Sequence, residues 1–142
     1  MNSLSTQDAG KVMLLAGKYA AAGVSAMLFL ASCAGVPGGS PEEAVKERAQ
    51  ARWDDMVKGD FHAAYEYMSP SSKQLLSEKI WTQRLRKGFW KAATVDKVEC
   101  KSANACDVSV TIDYEFQGMR TRTPLHENWV REGSEWWYLL RG

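Results

Sequence analysis

Between residues 106 and 116 the chain alternates without a break. Cys106, Val108, Val110, Ile112, Tyr114 and Phe116 are apolar, and Asp107, Ser109, Thr111, Asp113 and Glu115 between them are polar. A period of two sends successive side chains to opposite faces, so this stretch predicts a strand with one face buried and one wet. Such a strand belongs in an antiparallel sheet covered on one side only. Its neighbours in sequence fit. Gln117-Gly118-Met119 reads as a turn, residues 120–131 as the next strand, bent or bulged around Pro124, and Glu132-Gly133-Ser134 as another turn. Residues 135–141 read as a last strand with Trp137 and Leu139 on one face and Trp136, Tyr138 and Leu140 on the other. Apolar residues on both faces predict a central strand. Residues 90–99 supply the first strand, with Val95 ambiguous in phase.

Upstream of Phe89 the period is helical. Ser40-Pro41-Glu42-Glu43 is a helix start: serine and glutamate three apart suit a capping box, and proline follows the cap where its missing amide costs nothing. Val45, Ala49, Trp53 and Met56-Val57 recur at helical spacing and read as a core stripe, and Gly59 stops the helix. Asp60 predicts the cap of a second helix carrying Phe61, Ala64, Tyr65 and Met68 inward. Ser69-Pro70 starts a short third helix toward Leu76. Ser77 caps a fourth through Lys87, with Ile80, Trp81, Arg84 and Leu85 on its inner side. Helices first and a meander after them predict an α+β fold, with short helices packed on a curved antiparallel sheet. The concave side of such a sheet and its helices enclose a cone-shaped space.

The chain before residue 40 has a different character. Lys11 and Lys18 precede an apolar run at 19–32 that closes on Leu30-Ala31-Ser32-Cys33. A basic start, a short apolar core and small residues at a cut site form the layout of a secretory signal. The run is short of the about 20 residues that span a bilayer. Leu30-Ala31-Ser32-Cys33 resembles the lipobox of bacterial lipoproteins. That resemblance implies a diacylglyceryl group on the Cys33 thiol, cleavage just before it and acylation of the new amino terminus. The lipid bilayer, through acylated Cys33, is thus the first expected partner. An ordinary signal with a cysteine there by chance, or an uncleaved membrane helix, are the alternatives. The expected organisation is a signal peptide at 1–32, a lipidated flexible tether at 33–39 and one α+β domain at 40–142. Alanine rather than aspartate follows Cys33. By resemblance to enterobacterial lipoproteins, this implies the inner leaflet of the outer membrane, facing the periplasm.

Removal of residues 1–32 takes away Lys11, Lys18 and Asp8 and leaves the remainder formally neutral. A neutral domain without a polybasic stretch gives no long-range attraction to nucleic acid. All six tryptophans lie beyond residue 52, a large apolar payload for a small domain.

Cys100 and Cys106 flank a five-residue loop and make an even pair in an exported chain. A structural disulfide, free thiols or a catalytic pair are the three readings. The spacing is not Cys-x-x-Cys. His62 and His126, the only histidines, lack zinc-site spacing, so neither a metal nor a cofactor is expected. No Gly-rich phosphate loop, His-Glu-x-x-His or Gly-x-Ser-x-Gly is present. His62 reads as a surface residue near the start of the second helix. His126 lies in phase with Asn128 and Val130: on a cavity-lining face it would form a polar centre with Asp113, and otherwise it faces solvent. Tyr65, Tyr114, Trp129 and Trp137 either line a pocket floor or fill it.

Three stretches carry a second resemblance. They are Pro41-Glu42-Glu43-Ala44-Val45 with Arg48-Ala49, Arg52-Trp53 and Met56; Lys58-Gly59-Asp60-Phe61 with Ala64-Tyr65; and Tyr67-Met68-Ser69-Pro70. With the closing Trp136-Trp137-Tyr138-Leu139 they resemble small exported lipoproteins of the NTF2-like (SnoaL-like, cystatin-like α+β) superfamily. The resemblance implies that Trp53 packs the first helix on the sheet, and that Phe61 and Tyr65 lie on the buried side of the second. Enzymes of that superfamily place an Asp–His or paired acidic centre inside the cone, and His126 does not align with one. The expected function is a membrane-anchored periplasmic lipoprotein acting as a non-enzymatic envelope module that binds an envelope protein or a small apolar ligand. The alternatives are a structural or assembly subunit of an envelope complex, and a small-molecule isomerase or dehydratase-like enzyme with a pocket near His126.

Overall fold

A computed structural model describes residues 39–141. The signal segment, Cys33, the tether up to residue 38 and Gly142 lie outside the described residues. α1 (Pro41–Lys58) opens on the expected capping box. Ser40 Oγ accepts the Glu43 amide at 3.2 Å, and Glu43 Oε2 accepts the Ser40 amide at 3.0 Å. It closes at Gly59 with φ 77°, the left-handed conformation a glycine adopts without strain. α2 (Phe61–Glu66) is capped by Asp60, and α3 (Pro70–Leu75) by Ser69.

α4 (Glu78–Gln83) is shorter than the expected helix to Lys87. Ser77 occupies the cap position without a capping hydrogen bond, and only Trp81 is buried, so little holds the helix beyond its second turn. Ile80, expected inside, is exposed. The chain leaves through tight turns at Leu85 and Phe89, with Gly88 at φ 74°.

The four strands β1 (Trp90–Ser102), β2 (Ala105–Phe116), β3 (Met119–Glu132) and β4 (Glu135–Leu139) form an antiparallel meander in the order β1-β2-β3-β4. The fold is α+β, helices first, with the helical layer on one face of a curved sheet. Register shifts fall between β1 and β2, at Trp90/Ala92, Val95/Lys97 and Cys100/Ser102. The bend expected at Pro124 is absent: Pro124 pairs with Thr111 in unbroken register. β4 covers β3 only from Asn128 to Glu132, so Pro124 lies where β3 is a sheet edge, and there a proline is tolerated.

β4 is an edge strand, not the central one its composition predicts. Its free side is closed by the chain between α2 and α3. Tyr138 donates to Tyr67 O at 2.8 Å, and Ser69 donates back to Tyr138 O at 2.8 Å. The edge N–H and C=O of Tyr138 are thereby satisfied. Trp136 enters the core, while Trp137 is half-buried beside Arg48 of α1.

The core joins the α1 stripe to Val95, Cys106, Val108, Val110, Trp129 and Trp136. Val95 thus faces inward. Phe116, in phase with these residues, is 52% exposed. Tyr114 stacks at 5.1 Å on Phe89, in the turn before β1, and the hairpin overhangs beyond it. No helix among the described residues is long and apolar enough to cross a membrane.

Candidate functional site

Two polar constellations stand out, one sealed and one open. The sealed one centres on Glu127 of β3. Its Oε1 accepts from Arg52 Nη1 at 2.7 Å and from Trp53 Nε1 at 3.0 Å, and its Oε2 accepts from Trp129 Nε1 at 3.1 Å. The Arg52 guanidinium lies 3.9 Å from the centroid of the Tyr138 ring. Side-chain exposure is 5% for Arg52 and 3% for Glu127, so solvent does not screen the pair. Arg52 Nε is buried without a hydrogen-bond partner. Burial, the largest influence, raises the pKa of the Tyr138 hydroxyl.

This is the interior of the cone, and Trp53 and Trp129 fill the space around the charges. The sequence reading did not single out Arg52 or Glu127, yet a signal existed. Arg52 falls on the α1 stripe, three positions after Ala49, and Glu127 falls on the β3 phase of Leu125 and Trp129. Opposite charges on two facing apolar surfaces are expected to meet.

The open constellation is a groove of about 510 Å³ between α1, α2 and β4. Arg48 forms its centre. Its Nε donates to Trp136 O at 2.8 Å and its Nη1 to Glu135 at 3.0 Å. The rings of Tyr67 and Trp137 lie 5.3 Å and 5.4 Å from the guanidinium carbon. Asp55, His62 and Glu66 complete the rim. His62 Nδ1 is 2.8 Å from Glu78, and that hydrogen bond, followed by the carboxylate's charge, raises the His62 pKa. The groove joins a planar cation held against aromatic rings to anionic and imidazole groups. Its volume lies in the range of small-ligand sites.

The six residues expected around a pocket do not line one cavity. Tyr65 is buried, donates to Leu76 O at 2.8 Å and packs on Trp81. Trp129 is fully buried, Tyr114 stacks at the sheet end, and Trp137 borders the groove. His126 and Asp113 lie on the opposite, uncovered face of the sheet. His126 is exposed, with Nδ1 3.2 Å from Ser109 Oγ, and Asp113 is engaged by both Nε and Nη2 of Arg122 at 2.6 Å and 2.9 Å. The Arg122 hydrogen bond is the main influence holding the Asp113 carboxyl below the usual range. Ser109 and Asp113 are four residues apart on β2, about 13 Å along a strand, so His126 and Asp113 form no shared centre. Even residues of β2 face the helices, which leaves the odd ones, and His126 paired with Ser109, outside.

Cys100 and Cys106 are joined in a disulfide directly across the β1–β2 pair. Closing so short a loop restricts the unfolded chain modestly. Cys100→Ala with Cys106→Ala is expected to lower stability by about 2 kcal/mol, read as a lower urea midpoint than that of the oxidised parent. Equal midpoints would mean that the loop is already restricted without the bond.

A scan of protein-family models and a search of curated proteins returned no match. Solved structures do match. A SEC-C motif containing protein from Rhodopseudomonas palustris superposes with a TM-score of 0.56 at 11% identity, over 66% of this chain and 73% of that one. A SEC-C motif containing protein from Psychrobacter arcticus gives 0.57 at 14% identity, over 69% of this chain and 59% of that one. A Campylobacter jejuni protein described as NTF2-like gives 0.47 at 15% identity, over 68% of this chain and 98% of that one, a likeness too loose to define a fold. At these identities the likeness to the two SEC-C motif proteins shows only the fold of helices on an antiparallel sheet.

Proposed function

We propose that this chain is a lipid-anchored module of the bacterial envelope with an NTF2-like body. Acylated Cys33 holds it at the inner leaflet of the outer membrane, and the body faces the periplasm. It binds an envelope protein or a small ligand at its surface and does not turn over a substrate in its interior. One observation carries the last point: the cone is occupied by the Arg52–Glu127 pair and by Trp53 and Trp129, while the Arg48 groove is open. The lipobox resemblance at 30–33 supports the anchor. Two or more acyl chains suffice for stable attachment.

Cys33→Ser is expected to move the protein from the membrane to the soluble or uncleaved fraction and to remove acyl mass from the mature terminus. Unchanged fractionation and mass would overturn the anchor. A photo-crosslinker in place of Glu66, on the groove rim, is expected to capture a partner in intact cells where one in place of Thr111, on the uncovered sheet face, does not. Equal capture at both positions would remove the groove from the reading.

A further inference from the structure

The β2–β3 hairpin ends in an arrangement that the groove and the core leave unused. Phe116 and Met119 are paired across the hairpin and are 52% and 64% exposed. The turn between them is tight. Gln117 and Gly118 both have positive φ, 51° and 77°, as in the two-residue turns that match strand twist. Two apolar side chains are therefore held outward beyond the helical layer.

Charge beside them is mainly positive. Arg86 and Lys87 line the same hollow as Glu115, Gln117 and Gly118, while Arg120, paired with Glu115, lies on the opposite face of the hairpin from Phe116 and Met119. The nearby acids are already engaged, Glu115 by Lys91 at 3.2 Å and Asp113 by Arg122 at 2.6 Å. Arg86 and Lys87 have no ion-pair partner among the described residues. Two unpaired cations thus lie beside an exposed apolar pair.

We propose that this hairpin tip docks on an anionic lipid surface, with Phe116 and Met119 entering the acyl boundary and Arg86 and Lys87 meeting the headgroups. Apolar residues beside exposed cations suit a bilayer interface, where burial and attraction to anionic lipid act together. A protein partner would need charges of its own to meet the two cations, and nothing on the chain selects one. The chain enters the domain at residue 39, before α1, while the tip lies by the far end of α1, where Gly59 abuts Lys87. An 18-residue helix spans about 27 Å. If Cys33 is acylated, as the preceding reading holds, the two attachments lay the domain along the bilayer instead of letting it swing.

The test uses residues 33–142, the mature chain of that reading, with Cys33→Ser, so that neither acylation nor the apolar run at 19–32 contributes to its outcome. Gln117→Cys or, at the opposite end of β3, Ser134→Cys carries an environment-sensitive fluorophore. On phosphatidylcholine vesicles containing phosphatidylglycerol, the label at 117 is expected to shift blue and to resist iodide quenching, while the label at 134 stays wet. Phe116→Ser with Met119→Ser abolishes the shift, and Arg86→Glu with Lys87→Glu weakens vesicle partition by about tenfold or more. All four positions are exposed, and an unchanged thermal midpoint verifies that the variants are folded. The proposal is overturned if the label at 117 stays wet, if it shifts equally on pure phosphatidylcholine, or if the double serine variant behaves as the parent. It is also overturned if the label is shielded only when an envelope protein extract is added.

Discussion

Glu127→Ala is expected to lower the stability of the domain by about 3–5 kcal/mol, a large share of what a small domain possesses. The substitution removes the acceptor for three donors at once: Arg52 Nη1, Trp53 Nε1 and Trp129 Nε1. The guanidinium is then left uncompensated at 5% side-chain exposure, with its Nε already without a partner. Stranding a buried charge costs more than the pair itself contributes, because forming the pair required the desolvation of both ions. Glu127→Gln is expected to fall between parent and alanine, since its single carbonyl oxygen serves fewer of those donors. Arg52→Met combined with Glu127→Leu is expected to recover most of the loss, because it removes both charges and keeps the volume. Urea unfolding followed by tryptophan fluorescence measures all four proteins. A Glu127→Ala protein within about 1 kcal/mol of the parent would mean that Arg52 escapes to water, and that the interior is less closed than its burial indicates.

The same pair separates what the sequence reveals from what it conceals. The alternation at 106–116, the α1 stripe and the capping box at Ser40 and Glu43 depend on local spacing, and each appears in the structure as local spacing dictates. Failures arise where a distant segment decides. β4 reads as central because both its faces are apolar, but the pattern cannot say whether a neighbouring strand or a passing segment such as Tyr67–Ser69 closes its free side. Phe116 continues the inward phase of β2, and phase carries no information on how far the helices extend over the sheet. His126 reads as a strand residue and is one, yet its face follows from pairing with Ser109, on the side of β2 turned away from the helices. Arg52 and Glu127 lie between these cases. Each breaks an apolar phase visibly, but only the packing of α1 on β3 brings the two breaks together. The groove around Arg48 was not legible at all, because it joins residues from α1, α2 and β4 that share no pattern.

Trp129→Ala is expected to cost about 3–5 kcal/mol, and comparison with Trp129→Phe divides that cost into volume and hydrogen bonding. Trp129 heads the fully buried side chains, opposite Cys106 on β2 and Tyr138 on β4. Alanine opens a cavity at the sheet centre, where β2, β3 and β4 fix the surrounding backbone and prevent collapse. Phenylalanine keeps most of the aromatic packing and loses the Nε1 bond to Glu127 Oε2, so about 2 kcal/mol is expected, as for a hydrogen bond to a charged group. The decisive comparison is made in the Glu127→Ala background. There the indole N–H has no carboxylate to serve, and the Trp129→Phe step should shrink well below its cost in the parent, whereas the Trp129→Ala step stays large. If the Phe step costs the same in both backgrounds, the indole and the carboxylate act independently. The sealed centre is then not a network, and the closure of the cone depends on packing volume alone.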